Sequence, residues 1–367
     1  MSLKKARGVV ASVVEVETAA DELLGKGNAI DAVVAGVFAA CALSPGVLLG
    51  PVQILVGGAG AGFLAVDGRV RQPGIAAPRP RGFLKVEDIP DAARVGVPWL
   101  LASLSVALAT MGSATFSAVL GPAIALAKDT PRHAILKRIQ SRGARAFEDD
   151  ALGGELLAHA GRTAGGLLTA EDLRSPQPDV QKATRLALVS GPAASRGPRS
   201  GRAMSLGAEL KRGEGTREPR VLVTFPWTRI EADLPAAPAR EVEISRARTV
   251  IAVDRNGTFA AATWEEAASG MMIADLGLRA PFHAEPVRRG QTRVKPGDVR
   301  PAPGPVAFVG TAATPDLAFA AFGASDAYDV LAQAIESYAT EDRIEAHGES
   351  RLVALAHASG TATVLRG

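Results

Sequence analysis

From Ala32 to Val66 the chain carries no charged residue, and this stretch limits what it can fold into more than any other. About 20 consecutive apolar residues suffice to cross a bilayer, so a membrane span is the first reading to test. It fails on composition. Ser44, Pro45 and Pro51 interrupt the run, and Ala and Gly outnumber Leu and Ile. The stretch reads instead as a helix over Asp31–Leu43 followed by a strand over Val52–Leu55. A helix that is apolar on every side belongs inside a large core, and small side chains let neighbouring layers approach it. The cluster Gly57, Gly58, Gly60 and Gly62 then leads into a second strand, Phe63–Val66, closed by a turn at Asp67-Gly68. A glycine-rich loop can cradle phosphate, but no Lys-Ser/Thr pair follows this one, which leaves that reading weak.

Bulk properties exclude several function classes. With 367 residues, 47% of them hydrophobic, the chain can bury a sizeable core in one large or two ordinary domains. Its 41 basic and 38 acidic residues nearly cancel, and aromatics make up only 4%. No basic helix with interleaved aromatics stands out, so neither nucleic acid nor a membrane is expected as a partner. The single cysteine, Cys41, lies in the apolar helix and reads as a small buried hydrophobe. Five histidines (133, 159, 283, 347 and 357) show no HxH or HxxxH spacing, so no metal or other cofactor is expected. The apolar part of the N-terminus is short and broken by Glu15 and Glu17. That makes a poor export signal and favours the cytoplasm.

The remaining chain alternates between helical and strand patterns. Lys4–Val14 reads as a strand and Glu15–Leu24 as an amphipathic helix. Trp99–Thr110, Phe116–Lys128, Ala134–Arg142 and Ala151–Ala160 carry apolar residues at three- and four-residue spacing. Val180–Val189 reads as a strand. Residues 191–220 turn rich in Gly, Pro, Ser and Arg, which reads as a flexible connector with a short helix at Met204–Lys211. Strands follow at Arg220–Thr224, Arg240–Ile244, Thr249–Val253 and Thr258–Thr263, the last two joined by the hairpin signal Asp254-Arg255-Asn256-Gly257. Pro305–Val309 is another strand, Ser325–Tyr338 an amphipathic helix, and Arg351–Ala356 with Thr361–Leu365 a closing hairpin. Helices segregated before and after clustered hairpins argue for stacked antiparallel sheets with helices outside.

Five motifs, in order along the chain, resemble the gamma-glutamyltransferase (gamma-glutamyltranspeptidase) family. They are Gly27-Asn28-Ala29-Ile30-Asp31-Ala32, the glycine cluster before Phe63, Val95-Gly96-Val97-Pro98, Pro122-Ala123-Ile124-Ala125-Leu126-Ala127 after Gly112, and Gly166-Leu167-Leu168-Thr169-Ala170-Glu171-Asp172-Leu173. The resemblance implies an α+β fold, the four-layer αββα sandwich of N-terminal-nucleophile hydrolases. On the same footing residues 1–190 are similar to the family's large chain and 241–367 to its small chain. Residues 191–240 then form a shortened connector, all within one compact domain. Those enzymes cut their own precursor to expose a threonine whose hydroxyl attacks and whose free amine serves as base.

The family's catalytic residues do not carry over. Its threonine opens a T-T-H-x-S-V-V-D-x-x-G-N stretch, and counting back from Asp254 puts Ala247 at that position. Thr249 stands two residues late and Ser245 two early; a two-residue step along a strand keeps the face but moves the side chain by about 6–7 Å. The threonine and asparagine that orient the nucleophile fall on Glu265 and Ala267. The segment that holds the substrate's α-amine falls on Ala280-Pro281-Phe282-His283, the Ser-Ser pair on Asp298-Val299, and the carboxylate-binding arginine on Gly74. Only the oxyanion-hole glycines have an echo, Gly323-Ala324 before Ser325.

Three readings stay open at this point. One is a gamma-glutamyltransferase-like pseudoenzyme that binds a small ligand, or pairs with itself or with an active homologue. A second is a working amide hydrolase or transferase with Thr249 or Ser245 as nucleophile. The third is different chemistry in the same pocket through Glu265 or His283. A pocket lined by Gly74, Ala247, Glu265, Ala267, Phe282 and Gly323 is expected to prefer a neutral or cationic ligand over an amino-acid zwitterion.

Overall fold

The computed structural model describes residues 6–58, 60–78, 82–148, 150–174, 176–188, 202–206, 220–227, 246–267, 269–302, 304–341, 343–358 and 360–367. Two six-stranded sheets form its middle layers, and every strand pair in them is antiparallel. The first sheet is built from β1 (Gly8–Ala11), β2 (Val52–Gly58), β3 (Gly62–Gly68), β4 (Val180–Lys182), β8 (Arg246–Val253) and β9 (Phe259–Glu266), ordered β1-β8-β9-β2-β3-β4. The second uses β5 (Thr184–Ala187), β7 (Val221–Thr224), β12 (Val306–Gly310), β13 (Pro315–Phe322), β15 (Arg351–Ala358) and β16 (Thr361–Arg366), ordered β16-β15-β13-β12-β7-β5. Leu55, Phe63, Ile251 and Phe259 of the first sheet meet Phe308 and Leu355 of the second in one buried cluster between the layers. Two small pairs complete the strands, β6 (Arg202–Leu206) with β14 (Ile344–Gly348) and β10 (Met271–Ile273) with β11 (Leu278–Ala280).

The outer layers follow from alternation. Along β8, Val250 and Ala252 point away from the second sheet into a cluster with α1 (Val14–Leu24) and α2 (Ala29–Leu43). The same core takes α3 (Leu100–Met111), α4 (Phe116–Leu126), α5 (Arg132–Arg142), α6 (Glu155–Ala160) and α7 (Ala170–Arg174). The far face of the second sheet packs on α8 (Ala327–Glu341) through Val330, Leu331 and Ala334. The fold is therefore α+β, two stacked antiparallel sheets with helices outside, as expected. Every residue of α2 from Ala29 to Ala42 is buried, which accounts for its uncharged sequence, and burial pushes the Cys41 thiol pKa up. No helix among the described residues is long and apolar enough to cross a membrane.

Two motif carboxylates act as staples. Asn28 caps α2 in a reciprocal capping box with Asp31. The fully buried Asp31 also accepts the Ser113 hydroxyl at 2.6 Å and the Ser113 and Ala114 N–H groups at 2.9 and 3.0 Å. Asp172, equally buried, accepts the N–H groups of Gly74, Ile75 and Thr169 at 2.9, 3.0 and 2.9 Å. Each ties its own helix start to a distant loop.

Several expectations need correction. The β2–β3 hairpin turns at the glycine cluster, where Gly58 pairs with Gly62, and not at Asp67-Gly68. Gly58 (φ +149°) runs so close to Thr258 that a Cβ there would lie 2.6 Å from its Cα, so the cluster serves backbone geometry. The strand expected over Val180–Val189 is two strands: Val180–Lys182 pairs with β3 and Thr184–Ala187 with β7, in different sheets. Where a helix was expected at Met204–Lys211, residues 202–206 form a strand; the rest of that expectation, and the strand at Arg240–Ile244, lie outside the described residues. β13 and β14 were not anticipated. In β13 nearly every position is buried, so no alternation marks it as a strand.

Candidate functional site

Of the residues singled out by sequence, the structure brings Ala247, Glu265, His283, Gly323 and Ala324 near one another. In β8 and β9, Ala247 pairs with Glu265 and Thr249 with Thr263. All four share the face of Ile251 and Ala261, toward the second sheet. The chain leaving β13 arrives there too: the Gly323 N–H donates to the Ala247 carbonyl at 3.2 Å. The Ala324 N–H donates to Ser350 Oγ at 3.2 Å. Ala247 is 1% exposed and Glu265 8%.

Thr249 sits in mid-strand at 1% exposure. Its hydroxyl donates to the Ala262 carbonyl at 3.0 Å, its N–H to Ser12 Oγ at 3.0 Å, and its carbonyl accepts the Ser12 N–H. Ser245 lies outside the described residues. Gly74 (φ +115°) spends its N–H on Asp172. Ala267 is buried and its carbonyl faces Arg279 Nη1 at 3.4 Å. Phe282 is half-buried, with the Arg94 guanidinium 5.9 Å from its ring centre.

The structure unites two residues that the sequence had offered as alternatives. His283 Nε2 lies 3.4 Å from Glu265 Oε2. No well-aligned hydrogen bond joins them, since that buried nitrogen has no hydrogen-bond partner among the described residues. Burial first, and then the positive charge of Arg300, push the His283 pKa down to about 4. Arg300 is fixed in place, donating through Nε to the His283 carbonyl at 2.8 Å and through Nη2 to Glu285 at 3.2 Å. Burial and the Arg300 charge both disfavour the protonated ring, so the imidazole is neutral at neutral pH.

Sequence reading missed Arg71. This 7% exposed residue pairs with Asp67 Oδ2 at 3.0 Å and lies 3.9 Å above the Trp99 ring. Arg69 holds the same carboxylate from its other side at 2.9 Å. Burial raises the Asp67 pKa, but the Arg69 hydrogen bond and both arginine charges hold it below the usual range. The available signal was an Asp-x-Arg-x-Arg run directly after an uncharged stretch. Among the described residues no group of three or more His, Cys, Asp or Glu could hold a metal ion.

Two stacked antiparallel sheets between helical layers, with Ala247 and Gly323 meeting at one end, give the fold of N-terminal-nucleophile hydrolases. No family model and no curated protein sequence matches the chain. Solved structures do. A cephalosporin acylase from Bacillus halodurans covers 91% of this chain and 80% of its own, at 14% identity and a TM-score of 0.66. The protein LmbA2991, in two forms, covers 99% and 100% of this chain and 97% of its own, at 14% identity and a TM-score of 0.68. A gamma-glutamyltranspeptidase from Pseudomonas nitroreducens is similar over 49% of this chain, at 23% identity and a TM-score of 0.42. What the full-length likenesses share with this chain is the fold.

Proposed function

We propose that this protein is a ligand-binding member of the N-terminal-nucleophile fold that has lost threonine-dependent acyl transfer. The observation that carries the reading is the hydrogen bond from the Gly323 N–H to the Ala247 carbonyl. An oxyanion hole works through preorganised donors aimed at the developing charge. Here the first such donor is taken by the residue standing at the nucleophile position, and the second, the Ala324 N–H, by Ser350. Ala247 brings a methyl group in place of a nucleophile, and the Thr249 hydroxyl is buried and spent on Ala262. The ligand expected beside Glu265 and His283 is neutral or cationic, because an amino-acid zwitterion needs partners for both its charges.

Intact-mass analysis and a gamma-glutamyl anilide assay test this reading together. The expected result is one unprocessed chain without release of the aniline. Two fragments, the smaller beginning at Ser245 or Thr249, with turnover abolished by Ser245→Ala or Thr249→Ala, would overturn it.

A second reading rests on the Glu265–His283 approach. The imidazole is unprotonated at neutral pH and lies beside a carboxyl group, so the pair supports proton-transfer chemistry that needs no N-terminal residue, with the pKa near 4 making His283 a weak base. Hydrolysis of an activated ester that survives Thr249→Ala and disappears in His283→Gln would select this reading over the first.

A further inference from the structure

Next to Gly323 lies a cavity of about 510 Å³, walled by Arg248 of the first sheet and by Phe322, Ser325, Glu349 and Arg351 on the other side. A second cavity of about 920 Å³ adjoins it and shares Phe322, Glu349 and Arg351. The smaller one falls within the ~300–1,000 Å³ range of small-molecule sites. Because the Gly323 and Ala324 N–H groups are already bonded, recognition here falls to side chains.

Those side chains are available and their backbone is fixed. Arg351 is exposed and has no ion-pair partner among the described residues. Arg248 lines the cavity and is held through Nε by Glu266 at 2.8 Å, and its two terminal amino groups have no partner among the described residues. The Ser325 hydroxyl has no hydrogen bond among the described residues. Asp326 accepts the Glu349 N–H at 2.7 Å and the Ser350 N–H at 3.0 Å, and Arg351 stands opposite Phe322 in the β13–β15 register. The turn that carries Glu349 and Arg351 is therefore preorganised, which lowers the cost of ordering on binding.

We propose that this cavity binds a small organic monoanion, a carboxylate on a short apolar body. A guanidinium fork matches the two oxygens of a carboxylate, and the Phe322 ring supplies an apolar wall. Glu349, negative and lining the same space, repels a second ligand charge and so disfavours a phosphate dianion. The site does not depend on the fate of the nucleophile: Arg248, Arg351 and Glu349 take no part in that argument.

The test is a calorimetric titration of the full chain with butyrate, phenylacetate and inorganic phosphate. Saturable binding of the carboxylates is expected, with phosphate weaker. Arg351→Ala should weaken carboxylate binding about 10-fold or more, the range for a charged bidentate contact, and Arg351→Lys should fall between, keeping charge but losing the fork. Glu349→Gln should bring phosphate closer to the carboxylates. Because residues 349 and 351 are exposed, circular dichroism of all three variants should match the parent. Absence of saturable carboxylate binding by the parent chain, or binding that survives Arg351→Ala, would overturn the proposal.

Discussion

Asp31 and Glu265 are both acidic residues shut away from solvent, yet the molecule uses them in opposite ways. Asp31 is surrounded by donors within its own chain: the Asn28 N–H at 2.8 Å, the Ser113 hydroxyl and N–H, and the Ala114 N–H. Asp172 repeats the pattern with Gly74, Ile75 and Thr169. Glu265 instead faces a neutral imidazole at 3.4 Å without an aligned hydrogen bond. The first two close helix starts onto loops and belong to the framework. Glu265 lies on the strand position paired with Ala247, 3.4 Å from a His283 nitrogen that has no hydrogen-bond partner among the described residues. The Gly27–Ala32 and Gly166–Leu173 motifs thus have a framework role of their own, whatever stands at position 247.

The sharpest way to break the comparison is to remove a staple. Asp31→Ala leaves three N–H groups and a hydroxyl without their acceptor, and we expect a loss of about 3–5 kcal/mol in unfolding free energy, of the size seen when a buried charge network is cut. Urea denaturation measures it, and a loss below about 1 kcal/mol would show the carboxylate to be incidental. The His283 imidazole should give the next largest effect, through pH. Its folded pKa is near 4 against about 6.5 unfolded, so between those values the unfolded state binds the extra proton. Its contribution is fully present above about pH 6.5 and is lost as pH falls toward 4, roughly 3 kcal/mol in all. Urea titrations of the parent and of His283→Gln across that window should diverge in slope; parallel curves would contradict the assignment. Thr249→Val removes one buried hydroxyl that donates to Ala262 and should cost about 1 kcal/mol. A much larger loss, or a lost activity, would mean that the hydroxyl does more than satisfy a carbonyl.

How far these features could be read from sequence depends on where their physics lies. The helix expected over Asp31–Leu43 and the hairpin around Asn256-Gly257 were legible because local rules dictate them: an apolar surface on all sides and a turn that needs φ > 0 at Gly257 (+77°). Sequence reading missed the capping box that starts the helix at Ala29. Ala247, Glu265 and Gly323 were placed by counting along motifs, and the structure pairs Ala247 with Glu265 and bonds the Gly323 N–H to the Ala247 carbonyl. β13 was illegible because burial on both faces erases alternation. The break at Ala183 was hidden because one extended sequence serves two sheets. The approach of His283 to Glu265 and the seat of Arg71 over Trp99 are products of long-range packing, and no spacing encodes them.

The smallest expected effect is also the one that sharpens the comparison most. Glu265→Gln keeps the side chain's size and removes its charge. If Glu265 were a staple like Asp31, the amide would lose charge-assisted hydrogen bonds, and the cost would approach that of Asp31→Ala. At 3.4 Å from an imidazole that is not aligned to donate, the His283 contact itself should account for less than about 1 kcal/mol of the change, and any larger cost reports the other contacts of Glu265. The same variant should leave the urea-monitored pH dependence assigned to His283 nearly intact, because burial and Arg300, not Glu265, hold that group down. A cost of several kcal/mol in Glu265→Gln, or an abolished His283 slope, would place Glu265 with the framework carboxylates. The ligand site would then have to be sought away from the Glu265–His283 pair.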